Sequence, residues 1–299
     1  MRVFVTGASG FIGTAVVREL LDAGHQVVGL ARSDQSAATL TAVGAEAHRG
    51  DLADPESLRS GAAAADGVIH LAFIHDFANY GSAIETDRRA VEAIGAALEG
   101  TGKPFVGTSG TLMLSHGLPP GRIGTEDDAV DSGVPRGGAE NAALAMAERG
   151  VRSSVIRLAP TVHGPGDHGF VHALIGIARA KGVSAYVEDG ANRWPAVHRL
   201  DAARLFRLAL ESAPAGSRLH GVGEEGVPFR EIAGVIGRHL NVPVVSIPRE
   251  EAAEHFSWLG SFASTDGPTS SALTRARLGW QPEHPALLPD LEEGHYFKG

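Results

Sequence analysis

Eight residues near the start of the chain, Thr6-Gly7-Ala8-Ser9-Gly10-Phe11-Ile12-Gly13, constrain most strongly what the rest can fold into. They follow a short apolar run, Val3–Val5, and open a stretch of helical spacing, Phe11–Leu21. Gly7 permits a tight turn, Gly10 lets the backbone approach a bulky anion, and Gly13 lets the new helix lie close on the strand. The first amides of that helix, at its positive dipole end, then face the anion. Three glycines alone are a weak signal. With the strand before them and the helix after, they fit the pyrophosphate of a dinucleotide.

The chain continues as this start requires. Val27–Leu30, Val68–Leu71 and Phe105–Val106 read as buried parallel strands, each short and flanked by turn residues. Pro55–Ala65 and Ala83–Leu98 have helical spacing, as does the alanine-rich Ala139–Arg149 before a further strand, Ser153–Leu158. This alternation predicts an α/β fold with a doubly wound parallel sheet. Beyond about Thr161 prolines and glycines break the pattern. We expect a dinucleotide-binding domain over 1–165, with 191–222 returning to it through a helix at Asp201–Leu210. A smaller substrate-binding lobe is expected over 166–190 and 223–299.

Composition narrows the function. A net charge of −9, with Lys103, Lys181 and Lys298 the only lysines, argues against a nucleic-acid partner. The absence of cysteine excludes disulfides, thiolate catalysis and cysteine-ligated metal. The fourteen histidines show no metal-ligand spacing, so no metal is expected. No charged leader and no apolar run of membrane-span length is visible, which makes cytoplasmic the default expectation.

The end of the second strand discriminates between cofactors. An acid there binds the adenosine ribose hydroxyls of NAD, whereas an arginine pairs with the 2′-phosphate of NADP. Arg32 lies 19 residues after Gly13 (32 − 13), and the first acid is Asp34. The sequence therefore favours NADP(H) held by Arg32, the alternative being an Asp34 that reaches the ribose.

Further segments resemble the extended short-chain dehydrogenase/reductase superfamily over nearly the whole chain. They are Thr6–Gly13, Gly50-Asp51-Leu52-Ala53-Asp54, His70-Leu71-Ala72, Arg157-Leu158-Ala159-Pro160-Thr161-Val162-His163-Gly164-Pro165 and Leu278-Gly279-Trp280-Gln281-Pro282. The resemblance implies a Rossmann domain whose cofactor set here comprises Gly7, Ser9, Gly10, Phe11, Ile12, Arg32, Asp51, Leu52, Leu71, Ala72, Phe73, Thr108, Ser109, Glu140, Pro160, Val162 and His163. Asp51 and Leu52 would flank the adenine, and Pro160 and Val162 the nicotinamide. Thr108-Ser109-Gly110-Thr111 stands where the family carries its active-site hydroxyl, with Ser109 the candidate catalytic residue. Thr111, Met113, His163 and Trp194 are candidate substrate contacts.

The family's Tyr-x-x-x-Lys pair is missing. The three tyrosines are Tyr80, Tyr186 and Tyr296, and none has lysine four residues on. Where the pair belongs the chain reads Pro135-Arg136-Gly137-Gly138-Ala139-Glu140, so Arg136 replaces the tyrosine and Glu140 the lysine. A plainer reading is an exposed ion pair between Arg136 and Glu140. Asp87 is a second departure, at a position often occupied by asparagine. His163 and His198 are alternative proton donors. The expected function is NADPH-dependent reduction of a hydrophobic ketone, with aromatic polyketide ketones as the class the resemblance suggests. Alternatives are an NmrA-like redox sensor without turnover and an NAD-dependent sugar epimerase or dehydratase.

Overall fold

The computed structural model describes residues 1–76 and 79–298, so residue 299 of the expected C-terminal lobe lies outside it. Seven strands form one wholly parallel sheet: β1 (Arg2–Thr6), β2 (Gln26–Ala31), β3 (Glu46–Arg49), β4 (Gly67–His70), β5 (Pro104–Gly110), β6 (Arg152–Leu158) and β10 (Ser217–Gly221). Their order is β3-β2-β1-β4-β5-β6-β10, reversing between β1 and β4. In open α/β sheets, that reversal leaves a crevice at the carboxyl ends of the strands where ligands bind. The central strands are buried on both faces, which explains their unbroken apolar runs.

Helices cover both faces. On one, α1 (Phe11–Asp22), α2 (Asp34–Ala42) and α7 (Arg199–Ser212) bring Val16, Leu20, Leu40, Leu205 and Phe206 into a core with β1. On the other, α3 (Pro55–Ala63), α4 (Tyr80–Leu98) and α5 (Gly137–Ala145) pack Leu58, Val91, Ile94 and Ala143 against Phe4 and Phe105. The start of α3 is set locally: the Asp54 side chain accepts from the Glu56 amide, and Pro55 takes the first helical position.

A second core gathers α6 (Phe170–Lys181), α8 (Phe229–Leu240) and the segments around Phe256, Leu287 and Tyr296. Two small sheets serve it. One joins β7 (Thr161–His163), β9 (Arg193–His198) and β11 (Glu224–Pro228), and the other joins β8 (Ser184–Val187) to β12 (Val244–Ile247). The lobes interleave differently from the sequence-based expectation. Within 191–222, β9 pairs with β7 and β11 rather than with the large sheet. Conversely Leu278 and Trp280, expected in the C-terminal lobe, pack in the core of the large sheet, where the Trp280 indole donates to the Asp201 carbonyl at 2.9 Å. Among the described residues no helix is long and apolar enough to cross a membrane.

Candidate active site

The glycine turn lies at the strand-order reversal. Gly7 has φ 68°, and a Cβ there would meet the Ala72 amide nitrogen at 2.8 Å. A Cβ on Gly13 would lie 2.0 Å from the Gly7 carbonyl oxygen, so the helix could not pack with any larger residue. Gly10 is different: a Cβ would meet only the Gly7 carbonyl oxygen, at 3.3 Å, and otherwise fill open space. The first turn of α1 has neither a side-chain cap nor an acid, which leaves its amides for an anion. This cradle fits the pyrophosphate of a nicotinamide dinucleotide. Ser9 is exposed beside it, and Phe11 and Ile12 are half-buried.

At the end of β2 the groups sort themselves. The Ser33 hydroxyl is engaged in capping α2, and Asp34 is ion-paired with Arg49. Among the described residues Arg32 has no side-chain partner and is exposed. Asp51 lies in the next turn, its carboxylate accepting from the Ala53 amide, and Leu52 packs on the core under α3 and α4. Leu71 and Ala72 run past Thr6, the Ala72 amide donating to the Thr6 hydroxyl at 3.2 Å.

A chain of polar groups crosses beneath this crevice. The Thr6 hydroxyl lies 2.8 Å from His70 Nδ1, and His70 Nε2 lies 3.1 Å from Asp87 Oδ1. The other Asp87 oxygen is 3.4 Å from Arg136 Nη2, which also donates to the Thr108 carbonyl at 3.0 Å. The Asp87 carboxylate only accepts, so His70 Nε2 donates to it, and in that neutral tautomer Nδ1 accepts from the Thr6 hydroxyl. His70 and Asp87 are buried, whereas the Arg136 side chain keeps 18% of its exposure. The guanidinium stacks over the Phe73 ring, 4.1 Å from its centroid, and Phe73 meets His75 and Tyr80 edge-on. Burial, then the Arg136 charge, pushes the His75 imidazole below its ordinary value, while burial pushes the Tyr80 phenol up.

The surface ion pair between Arg136 and Glu140 does not form. Glu140 is buried and accepts from Arg157 of β6, at 2.6 Å from Nη2 and 3.1–3.2 Å from Nε. That pairing also removes Glu140 from the expected cofactor set: its carboxylate is fully engaged inside the sheet–helix interface. Ser109 is buried on β5, with its hydroxyl 3.8 Å from the Met113 sulfur. Thr108 donates to the His70 carbonyl at 2.7 Å. Thr111, two residues after Ser109, buries a hydroxyl with no hydrogen-bond partner among the described residues.

The remaining candidates lie where the lobes meet. Pro160 and Val162 are half-buried. His163 is buried with Nδ1 2.8 Å from Asp290, and its Nε2 has no partner among the described residues. Its ring abuts His198 at 5.4 Å, and His198 stacks on His284. Burial, reinforced by the neighbouring histidines, pushes His198 down to about 4. Asp201 and His284 lie close enough to His198 to hold an ion, but the Asp201 oxygens already accept from the Glu283 and His284 amides and from His284 Nδ1. Trp194 is a correction. It is fully buried between Phe170 and Phe229, with its indole donating to the Phe262 carbonyl, so it holds the C-terminal core and cannot line a substrate cleft.

The reversed strand order, the glycine cradle and the polar chain under the crevice define a dinucleotide-binding α/β protein of the extended short-chain dehydrogenase/reductase type. The chain belongs to the NAD dependent epimerase/dehydratase family, whose model matches residues 3–220. It is 54% identical over 298 residues to an uncharacterized protein of Schizosaccharomyces pombe, covering 99% of this chain and 100% of that one. It is 29% identical over 269 residues to a 2-alkyl-3-oxoalkanoate reductase of Stenotrophomonas maltophilia, covering 86% and 79%. Its fold matches DesIV, a dTDP-glucose 4,6-dehydratase of Streptomyces venezuelae solved with NAD and TYD bound, with TM-score 0.79, 21% identity and coverage of 99% and 97%.

Proposed function

We propose that this chain is an NADPH-dependent reductase of a hydrophobic ketone in which Arg136 stands where relatives place a proton-donating phenol. The observation that carries this reading is the guanidinium held by Asp87, the Thr108 carbonyl and the Phe73 ring. NADPH would supply the hydride, with Arg32 pairing to its 2′-phosphate and the glycine cradle holding its pyrophosphate.

A guanidinium stays charged at any pH the fold survives, so it neither gives nor takes a proton. What it does is stabilise negative charge developing on a carbonyl oxygen. The Ser109 hydroxyl, on the neighbouring strand end, is suited to hydrogen-bond the same oxygen. The proton then comes from solvent or from the substrate, and a phenolic hydroxyl adjacent to the ketone is well placed to give it. Sugar epimerisation and dehydration are disfavoured, because they begin by removing a hydroxyl proton. Arg136 cannot serve as that base, and Glu140 is occupied by Arg157. The similarity to a 2-alkyl-3-oxoalkanoate reductase supports reduction.

The test pairs an aromatic ketone bearing an adjacent hydroxyl with its methyl ether, following NADPH consumption, alongside titrations of NADPH and NADH. We expect NADPH to bind about tenfold tighter or more, the preference vanishing in Arg32→Ala. Turnover should collapse on methylation while ketone binding persists. Equal turnover of both ketones rules out the substrate as proton source. Cofactor binding without turnover of any ketone would favour a redox sensor.

A further inference from the structure

The N-terminus of α7 comes to the glycine turn from the second half of the chain. Helices α1 and α7 pack side by side, joined lower down by Arg207 to Glu19 at 2.7 Å, and both begin at the carboxyl edge of the sheet. The first residue of α7 is Arg199, and the first of α1 is Phe11, directly after Gly10. The Arg199 guanidinium lies over the Phe11 ring, 5.1 Å from its centroid, and His168 meets the same ring edge-on at 5.8 Å. Gly164 leaves room for the arginine: a Cβ there would lie 3.0 Å from His198 Nε2 and 3.3 Å from Arg199 Cγ.

Arg199 is anomalous by its own chemistry. Among the described residues it makes no ion pair and no side-chain hydrogen bond, and its Nε is buried without a partner. A cation resting on an aromatic face gains too little to offset a buried N–H left without an acceptor. The α1 end beside it is also electropositive and also lacks an acid. Two cationic features therefore converge, and among the described residues no carboxylate pairs with Arg199 or stands in the first turn of α1.

We propose that Arg199 is a ligand of the cofactor's pyrophosphate, closing from the second half of the chain over the glycine turn. This rests on the dinucleotide-binding reading above and adds a residue to it. The amides of α1 hold one side of the anion, and the Arg199 fork gives charge-assisted hydrogen bonds from the other. Cofactor binding then ties the start of α7 to the start of α1 across the pyrophosphate.

The experiment titrates the full chain and its Arg199→Gln and Arg199→Lys variants with three probes: NADPH, ADP-ribose, which keeps the pyrophosphate, and adenosine 2′-phosphate, which lacks it. Arg199→Gln should weaken NADPH and ADP-ribose about 10–100-fold. Its affinity for adenosine 2′-phosphate should not change, and neither should its thermal midpoint without ligand. Arg199→Lys should recover part of the loss. Unchanged affinity for NADPH and ADP-ribose in Arg199→Gln overturns the proposal, as does equal weakening of all three probes. A parent chain that binds neither NADPH nor NADH overturns both this proposal and the reading beneath it.

Discussion

Arg136 shows how one side chain ties distant segments together. It adopts φ 65°, a left-handed conformation uncommon for a side chain of its size, immediately before Gly137 opens α5. The Phe73 stack and the bonds to Asp87 and Thr108 hold it there. The motif register suggested Arg136 for the family's tyrosine position, and it marked Asp87 as a departure. Their pairing was not legible, because 49 residues separate them and only the fold brings α4 under the start of α5. If Arg136 stabilises the developing alkoxide, Arg136→Ala should lower kcat/KM about 10²–10³-fold with NADPH affinity nearly constant. Arg136→Lys should restore only part, since a point charge lacks the fork. Ser109→Ala should cost less and also spare cofactor binding. Steady-state kinetics beside calorimetric titration separates these effects; an Arg136→Ala enzyme as fast as the parent removes the guanidinium from the chemistry.

Between elements, the joint of α5 and β6 rests on a charge pair that the sequence disguised. Glu140 stands four residues after Arg136 in a stretch of helical spacing, which suggests a solvated i,i+4 pair. Yet Arg157 lies in the buried part of β6, directly after Val155-Ile156, and a charge in a strand buried on both faces must find a partner across the interface. That was the available signal. The pair is buried on both sides, so breaking it leaves an uncompensated charge, and Glu140→Gln should destabilise by about 3–5 kcal/mol. Replacing both residues by Leu and Met of similar volume should recover most of this. Urea unfolding of the single and double variants checks it; a single variant as stable as the parent means water reaches Arg157. The edge strand β3 has a weak hydrophobic pattern for a related reason. Its residues, Glu46–Arg49, carry no apolar run because an edge strand faces solvent, and charge there discourages further pairing.

At the scale of the molecule, the buried strands and the glycine turn were legible because burial on two faces and a close helix approach each demand a narrow set of residues. The interleaving of the lobes was less so, since β9 and Trp280 are apolar segments whose choice of core depends on tertiary packing. Among the histidines buried at the seams between lobes are His198 and His220. His198 ends β9 beside α7, and His220 of β10 has its Nδ1 2.7 Å from the Ser270 carbonyl and its amide bonded to Thr274 at 2.7 Å. Burial pushes each imidazole from 6.5 down to about 4. The folded values lie below the unfolded one, so between these pH values the unfolded chain takes up protons that the folded chain refuses. Stability from these two groups is therefore complete above pH 6.5 and is lost progressively as pH falls toward 4. Asp167 acts in the opposite sense, because burial raises its carboxyl, but burial also pushes down His75 and His255, which add to the fall. We expect the thermal midpoint to fall steadily across that window, and the fall to shrink in a His198→Asn/His220→Gln variant. Scanning calorimetry at several pH values decides it: a midpoint unchanged from above pH 6.5 to about pH 4 would show that neither imidazole is held neutral by the fold.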